Sequence, residues 1–75
     1  MSNMSTYFIL DSINGNHDTK EIKRTLNKHT GVTSVSVNDL QNKVAVDFDD
    51  KDITPRLLAN KIEKLGYEII DVMID

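Results

Sequence analysis

The sequence predicts an α+β fold in which two helices cover one face of a four-stranded antiparallel sheet, in the order β-α-β-β-α-β. Three observations support this: two amphipathic helical stretches, four strand-like apolar stretches, and a polar turn that joins two of these as a hairpin. The chain has 75 residues, which is enough for one domain. We expect a disordered tail over residues 1–5 and a folded domain over residues 6–75.

The first strand is predicted over residues 6–11, where aromatic and β-branched residues predominate. Phe8 and Leu10 would share its inward face, because alternate residues of a strand point to the same side. Asn14 and Gly15 follow, and this dipeptide is a strong turn signal. A polar loop is therefore expected between the first strand and the first helix.

The first helix is predicted to start at Asp18, because Asp18 and Glu21 have the spacing of a capping box. In that motif each side chain accepts a hydrogen bond from the backbone N–H of the other residue. The apolar stripe of the helix has helical spacing and comprises Ile22, Leu26 and His29. Gly31 is expected to end the helix in a left-handed conformation.

A hairpin is predicted next, because residues 32–37 and 43–48 both alternate apolar and polar side chains. The polar residues 38–42 between them form a turn. In the two strands the inward positions are Val35, Val37, Val44, Val46 and Phe48.

The second helix has a clear start, with Thr54 as N-cap and Pro55 at the first helical position. Ile53 and the stripe Leu58, Ile62 and Leu65 would be buried. Gly66 ends the helix, and residues 67–74 form the last strand. Because each helix is apolar on one side only, both would lie on the same face of the sheet, which is the ferredoxin-like arrangement.

Composition excludes several classes of function. The net charge of −3 disfavours a nucleic-acid partner, and the absence of cysteine excludes disulfides and thiolate metal sites. No apolar run approaches the roughly 20 residues that span a bilayer, and the N-terminus lacks signal-peptide features, so we expect a cytoplasmic protein. The sequence has no nucleophilic triad pattern and no glycine-rich phosphate loop, so we expect no enzymatic activity.

An ordered set of motifs follows the first helix: Gly31-Val32 with Val35 and Val37, Lys43-Val44 with Val46 and Phe48, and Ile62 with Gly66-Tyr67. This set resembles the heavy-metal-associated (HMA) domain family over residues 6–73. That family includes small copper chaperones and the N-terminal modules of copper-transporting P-type ATPases. The resemblance implies a ferredoxin-like fold and a partner in metal homeostasis, such as a metal-transporting P-type ATPase.

In that family the metal site is Met-x-Cys-x-x-Cys in the loop after the first strand. Aligned on Ile22, this chain has Ile13 at the methionine, Gly15 at the first cysteine and Asp18 at the second. The resemblance therefore implies a metal loop without its thiolates, with Ile13 filling the core beneath it. Because Cu(I) is a soft ion that relies on thiolate donors, we expect no tight Cu(I) binding and no cofactor.

Each of two side chains near this loop has two possible roles. His17 with Asp18 is either a weak nitrogen–oxygen site for Zn(II) or Cu(II), or a solvated loop histidine, since three protein ligands are normally required. Tyr67 either supports the loop with a hydrogen bond, as the family resemblance implies, or is a core aromatic with its hydroxyl at the surface.

The helices have seven basic residues and two acidic ones, a net charge of +5 that leaves −8 for the rest of the chain. This basic layer would either dock on an acidic partner or reflect the preference of helix surfaces for lysine and arginine. The candidate docking residues are Lys20, Lys23, Arg24, Lys61 and Lys64. Two functions remain: an interaction or regulatory module of copper transport, or a metal carrier that uses His17. We expect a monomer, or at most a weak dimer.

Overall fold

The structure, a computed structural model, describes residues 3–74. Its elements are β1 (Asn3–Leu10), α1 (Gly15–Asn27), β2 (Val32–Asn38), β3 (Lys43–Asp49), α2 (Pro55–Lys64) and β4 (Ile69–Ile74). The strands form an antiparallel sheet in the order β2-β3-β1-β4. The predicted order of elements is confirmed, and β3 lies beside β1 as the ferredoxin-like arrangement requires.

The first strand begins earlier than predicted. β1 starts at Asn3, so residues 3–5 belong to the sheet and not to a tail, whereas residues 1 and 2 lie outside the described part of the chain. The Ser5 hydroxyl donates to the carboxylate of Asp47 on β3, and Thr6 is fully buried. These contacts explain why the strand extends toward the N-terminus.

The core lies between the helices and the face of the sheet that they cover. Its buried apolar residues are Phe8, Leu10, Ile13, Ile22, Leu26, Val44, Val46, Phe48, Ile53, Leu58 and Ile62. The predicted inward positions of β1, β3 and α2 are thereby confirmed, and Val35, Val37 and Leu65 pack against this cluster while half-buried. A core this small leaves a thin stability margin.

Gly31 does not end α1, which stops at Asn27, but occupies the connection to β2. Its φ is +99°, and a Cβ atom there would lie 2.9 Å from the Cβ of Asp52. Its carbonyl accepts a hydrogen bond from the backbone N–H of Asp49 at 2.8 Å. Glycine is required because of this close approach between the α1–β2 connection and the loop after β3.

His29 also departs from its predicted position on the apolar stripe. It is half-buried and lies beyond the end of α1. There it lines a surface groove of about 600 Å³ between the two helices, together with Lys28 and Lys61. Neither of the two helices within residues 3–74 is long and apolar enough to cross a membrane.

Candidate functional site

The segment that connects β1 to the first turn of α1, residues 11–18, is called the β1–α1 junction below. It contains Ile13, Gly15 and Asp18, the three residues that the family resemblance assigns to the metal loop. Helix α1 begins at Gly15, whose φ of +68° is favoured by glycine. Asn14 is the N-cap residue, and its side chain makes no capping hydrogen bond. The first turn of α1 is therefore stabilised by something other than its own N-cap side chain.

Asp18 supplies that stabilisation from inside the helix. Its Oδ2 accepts a hydrogen bond from the backbone N–H of Asn14 at 2.8 Å. The predicted capping box between Asp18 and Glu21 is wrong, because the N-cap is four positions earlier, at Asn14. The carboxylate bonds backward to the N-cap residue, and its charge lies in the first turn, where the helix dipole favours an anion.

The surroundings of Asp18 favour its ionised form. The Asn14 N–H lowers the pKa of Asp18 below its usual 3.8, and the neighbouring His17 and Tyr67 side chains lower it further. Partial burial acts in the opposite direction but does not reverse the shift. The group is therefore an anion at neutral pH.

His17 is the histidine nearest to this carboxylate. Its Nδ1 lies 3.5 Å from Oδ1 of Asp18, and its side chain is 87% exposed. Among residues 3–74 no group of three or more His, Asp or Glu side chains is arranged to hold a metal ion. The structure thus brings the two predicted candidates together and adds no third protein ligand to them.

Ile13 fixes the junction from below. Its side chain is 5% exposed and belongs to the core. Its backbone N–H donates to Oδ1 of Asn42 at 2.9 Å, and the carbonyl of Asn42 accepts from the N–H of Leu10 at 2.8 Å. Asn42 has a φ of +52°, a conformation that asparagine tolerates better than most residues.

Asp11 ties the junction to the chain before β4. Its backbone N–H donates to the carbonyl of Glu68 at 2.9 Å. In return, its Oδ1 accepts a hydrogen bond from the backbone N–H of Glu68 at 3.3 Å. Sequence reasoning missed both Asp11 and Asn42 as structural residues of this site. The available signal was the turn chemistry of Asp and Asn next to strand ends.

Tyr67 is another neighbour of Asp18. Its ring is half-buried and packs against the core. Burial raises its pKa to about 12, and the negative charge of the nearby Asp18 carboxylate adds to this. Tyr67 is therefore a half-buried aromatic that packs against the core near Asp18, and its support of the loop by a hydrogen bond stays a prediction.

The candidate docking residues Lys20, Lys23, Arg24 and Lys64 are exposed, and Lys61 is half-buried. Within the described residues no lysine or arginine nitrogen lies within 4.0 Å of a carboxylate oxygen; the contact within that distance is between His17 and Asp18. Because α1 starts at Gly15 and ends before Lys28, the helices contain six basic and three acidic residues. Their net charge is +3, lower than the +5 expected from the sequence.

Sequence comparison identifies related proteins. The sequence model of the heavy-metal-associated domain family matches residues 11–68. The copper chaperone CopZ of Staphylococcus aureus (strain JH9) is 32% identical over 54 residues, which cover 72% of this chain and 79% of that protein.

Solved structures show the same fold. A CopZ metallochaperone superposes with a TM-score of 0.84 at 26% identity, covering 88% of this chain and 98% of the other. The N-terminal domain of a potential copper-translocating P-type ATPase from Bacillus subtilis, solved in its Cu(I)-loaded state, gives 0.83 at 25% identity, covering 91% and 85%. The chain belongs to the heavy-metal-associated domain family.

Proposed function

We propose that this domain is a protein-interaction or regulatory module of metal homeostasis, in which copper is the metal concerned, and that it does not carry Cu(I). The observation that supports this most directly is the chemistry of the two thiolate positions. The chain contains no cysteine, and alignment on Ile22 assigns Gly15 and Asp18 to those positions. The Asp18 carboxylate already accepts the N–H of Asn14.

Donor chemistry explains why this substitution matters. Cu(I) is a soft ion for which thiolate sulfur is the preferred protein donor, whereas carboxylate oxygen suits harder ions. Gly15 offers no side-chain donor at all. A domain with this junction would therefore lack the affinity that moving Cu(I) between proteins requires.

The helical layer supports docking on an acidic partner. Lys20, Lys23 and Arg24 lie exposed on α1, and Lys64 lies exposed at the end of α2. Among residues 3–74 none of these groups has a carboxylate partner within 4.0 Å, so their charges are available to another molecule. Complementary charge of this kind increases the association rate and selects the partner.

The relatives point to the class of partner. One is a copper chaperone, and another is a domain of a potential copper-translocating P-type ATPase. We propose that the partner is a metal-transporting P-type ATPase or another metal-homeostasis protein in the cytoplasm, and that the domain has no enzymatic activity of its own.

Docking is tested with the isotope-labelled domain and the soluble N-terminal domain of a copper-transporting P-type ATPase from the same organism. NMR shifts should concentrate on the exposed faces of α1 and α2, and the affinity should fall as salt is raised. Lys23→Glu should weaken binding. Its matched control is Lys43→Glu, because Lys43 lies over the Tyr7 ring, 4.7 Å from its centroid, on the face away from the helices. Equal weakening by both variants would contradict docking through the helices.

A second function is favoured by the contact between His17 and Asp18. With Nδ1 and Oδ1 at 3.5 Å, these residues would supply one nitrogen and one oxygen ligand of a Zn(II) or Cu(II) carrier. Titration of the labelled domain with each ion separates the two functions. Selective shifts at residues 13–18 at low metal concentration that His17→Ala abolishes would favour the carrier. Diffuse shifts that appear only at high concentration would favour the module.

A further inference from the structure

The two edges of the sheet differ in the side chains that they expose. Within residues 3–74 the exposed large hydrophobic residues are Leu40, Ile70, Val72, Met73 and Ile74, and four of these five belong to the edge strand β4. The opposite edge strand, β2, exposes serine, threonine and asparagine, and its valines are half-buried. An exposed apolar edge strand is a template for pairing with another strand.

The backbone of β4 presents the groups that such pairing needs. The Met73 carbonyl points toward β1, because the hydroxyl of Thr6 donates to it at 3.1 Å. Successive backbone groups of a strand point to opposite edges, so the N–H and carbonyl of Val72 face away from β1. In agreement with this, the N–H of Val72 donates to Oδ1 of Asp71 at 2.9 Å.

We propose that β4 pairs antiparallel with β4 of a second copy of this chain, about a twofold axis through Val72. The outward N–H and carbonyl of Val72 would then exchange two hydrogen bonds with the same groups of the copy. The two four-stranded sheets would become one continuous sheet. A twofold contact of this kind uses the same surface on both copies.

The side-chain pattern of β4 selects a second copy over an unrelated strand. Residues 70–74 read Ile-Asp-Val-Met-Ile, which is symmetric in its β-branched positions. Pairing about Val72 places Ile70 opposite Ile74 and Val72 opposite itself, so β-branched residues meet β-branched residues. It also places Asp71 opposite Met73, whereas pairing about Asp71 would bring two carboxylates directly opposite each other.

Asp71 limits the strength of this contact. Its carboxylate accepts the N–H of Val72 within one copy, and pairing must break that hydrogen bond. The dimer is therefore weak and reversible, because the Asp71 carboxylate competes with the second copy for the N–H of Val72. This inference is independent of metal binding and of the proposed docking through the helices.

Analytical ultracentrifugation over a wide range of protein concentration tests the pairing. The native domain should dissociate reversibly on dilution. Val72→Lys and Val72→Glu should each lower the association constant by about tenfold or more, because like charges then meet across the axis. An equimolar mixture of the two variants should recover association, since lysine then faces glutamate.

The matched controls are Ser36→Lys and Ser36→Glu on the exposed side of β2, which should leave the association constant unchanged. Asp71→Ala should raise it by removing the competing acceptor. A domain that stays monomeric at the highest concentration would overturn the proposal. So would association that the Val72 variants leave intact, or variants whose mixture fails to associate while the native domain dimerises.

Discussion

The two helices of this domain begin in different ways. At the start of α2, Oγ1 of Thr54 accepts the N–H of Leu57 at 3.2 Å, and Pro55 occupies the first helical position. At the start of α1, Asn14 makes no side-chain cap, and the Asp18 carboxylate bonds back to the N–H of Asn14. The Thr54 cap of α2 involves residues next to the helix start and can be recognised from the sequence. The Asp18 hydrogen bond of α1 forms only when the first turn of the helix is already in place.

This difference shows where the fold depends on long-range contacts. The start of α2 is fixed locally, by a cap and by the buried residue Ile53. The β1–α1 junction is held from three sides: by Asp18, by the Asn42 side chain at Ile13, and by the backbone of Glu68 at Asp11. The family resemblance implies that this junction aligns with the metal loop. In this chain hydrogen bonds hold the junction in place.

The largest expected effect comes from converting the junction into a thiolate site. The double variant Gly15→Cys with Asp18→Cys should gain Cu(I) binding, since sulfur donors would then occupy both positions that the family resemblance assigns to cysteine. A Cβ atom at residue 15 meets no other atom within 4 Å, so space is available. However, the φ of +68° strains any side chain there, and the cap from Asp18 is lost.

The double variant should therefore be less stable than the native domain without metal and should regain stability when Cu(I) is added. Thermal denaturation with and without Cu(I) measures this. Asp18→Cys alone is the matched control and should bind far more weakly, because it has one thiolate. Absence of Cu(I) binding in the double variant would show that the assignment of these two positions is wrong.

Removal of each helix cap compares the two starts directly. Thr54→Ala should lower the free energy of unfolding by about 1 kcal/mol, the typical value of an N-cap. Asp18→Ala should also lower the denaturation midpoint, because the N–H of Asn14 then loses its acceptor. Glu21→Ala should leave the midpoint nearly unchanged. Urea denaturation of the three variants would contradict this account if Glu21→Ala were the more damaging of the two α1 changes.

Acid should remove the contribution of Asp18 to stability. Its pKa in the folded state is lowered, so the stabilisation is complete above the unfolded value of 3.8 and is lost as pH falls through the folded value. The difference in unfolding free energy between the native domain and Asp18→Asn should therefore be constant from neutral pH down to about 3.8 and then shrink. A difference that grows on acidification would contradict the assignment of an ionised, hydrogen-bonded Asp18.

The smallest effect concerns Tyr67. In a Tyr7→Phe background its phenol should ionise at about 12, as followed by ultraviolet absorbance. Asp18→Asn should lower this pKa part of the way toward 10.0, because burial is the larger cause and the carboxylate charge the second. If the titration midpoint of Tyr67 were unchanged in the Asp18 variant, the two side chains would not interact, and Tyr67 would not belong to the junction.

Periodic and locally capped elements were predictable from the sequence. The start of α2 at Pro55, the hairpin of β2 and β3, and the inward residues Val44, Val46 and Phe48 are confirmed. Each depends on neighbours within a few positions, where spacing alone defines the structure.

The junction was less predictable for a physical reason. Asp18 and Glu21 have the spacing of a capping box, but the helix begins earlier, at Gly15, which has a positive φ. Asp18 therefore lies inside the first turn and accepts a hydrogen bond from the N–H of Asn14. Asn42 reaches Ile13 from 29 positions away, and Asp11 reaches Glu68 from 57. Contacts of that range leave no periodic pattern in the sequence. Turn chemistry next to strand ends could have marked Asp11 and Asn42, but their distant partners are visible only in the fold.

The most direct test of the central claim is a Cu(I) competition titration of the native domain against a strong Cu(I) chelator under reducing conditions. Because the chain has no cysteine to supply thiolates, the chelator should retain all of the copper at every ratio of protein to metal. Stoichiometric transfer of Cu(I) from the chelator to the domain would contradict the account and would make this chain a copper carrier with an unforeseen set of ligands.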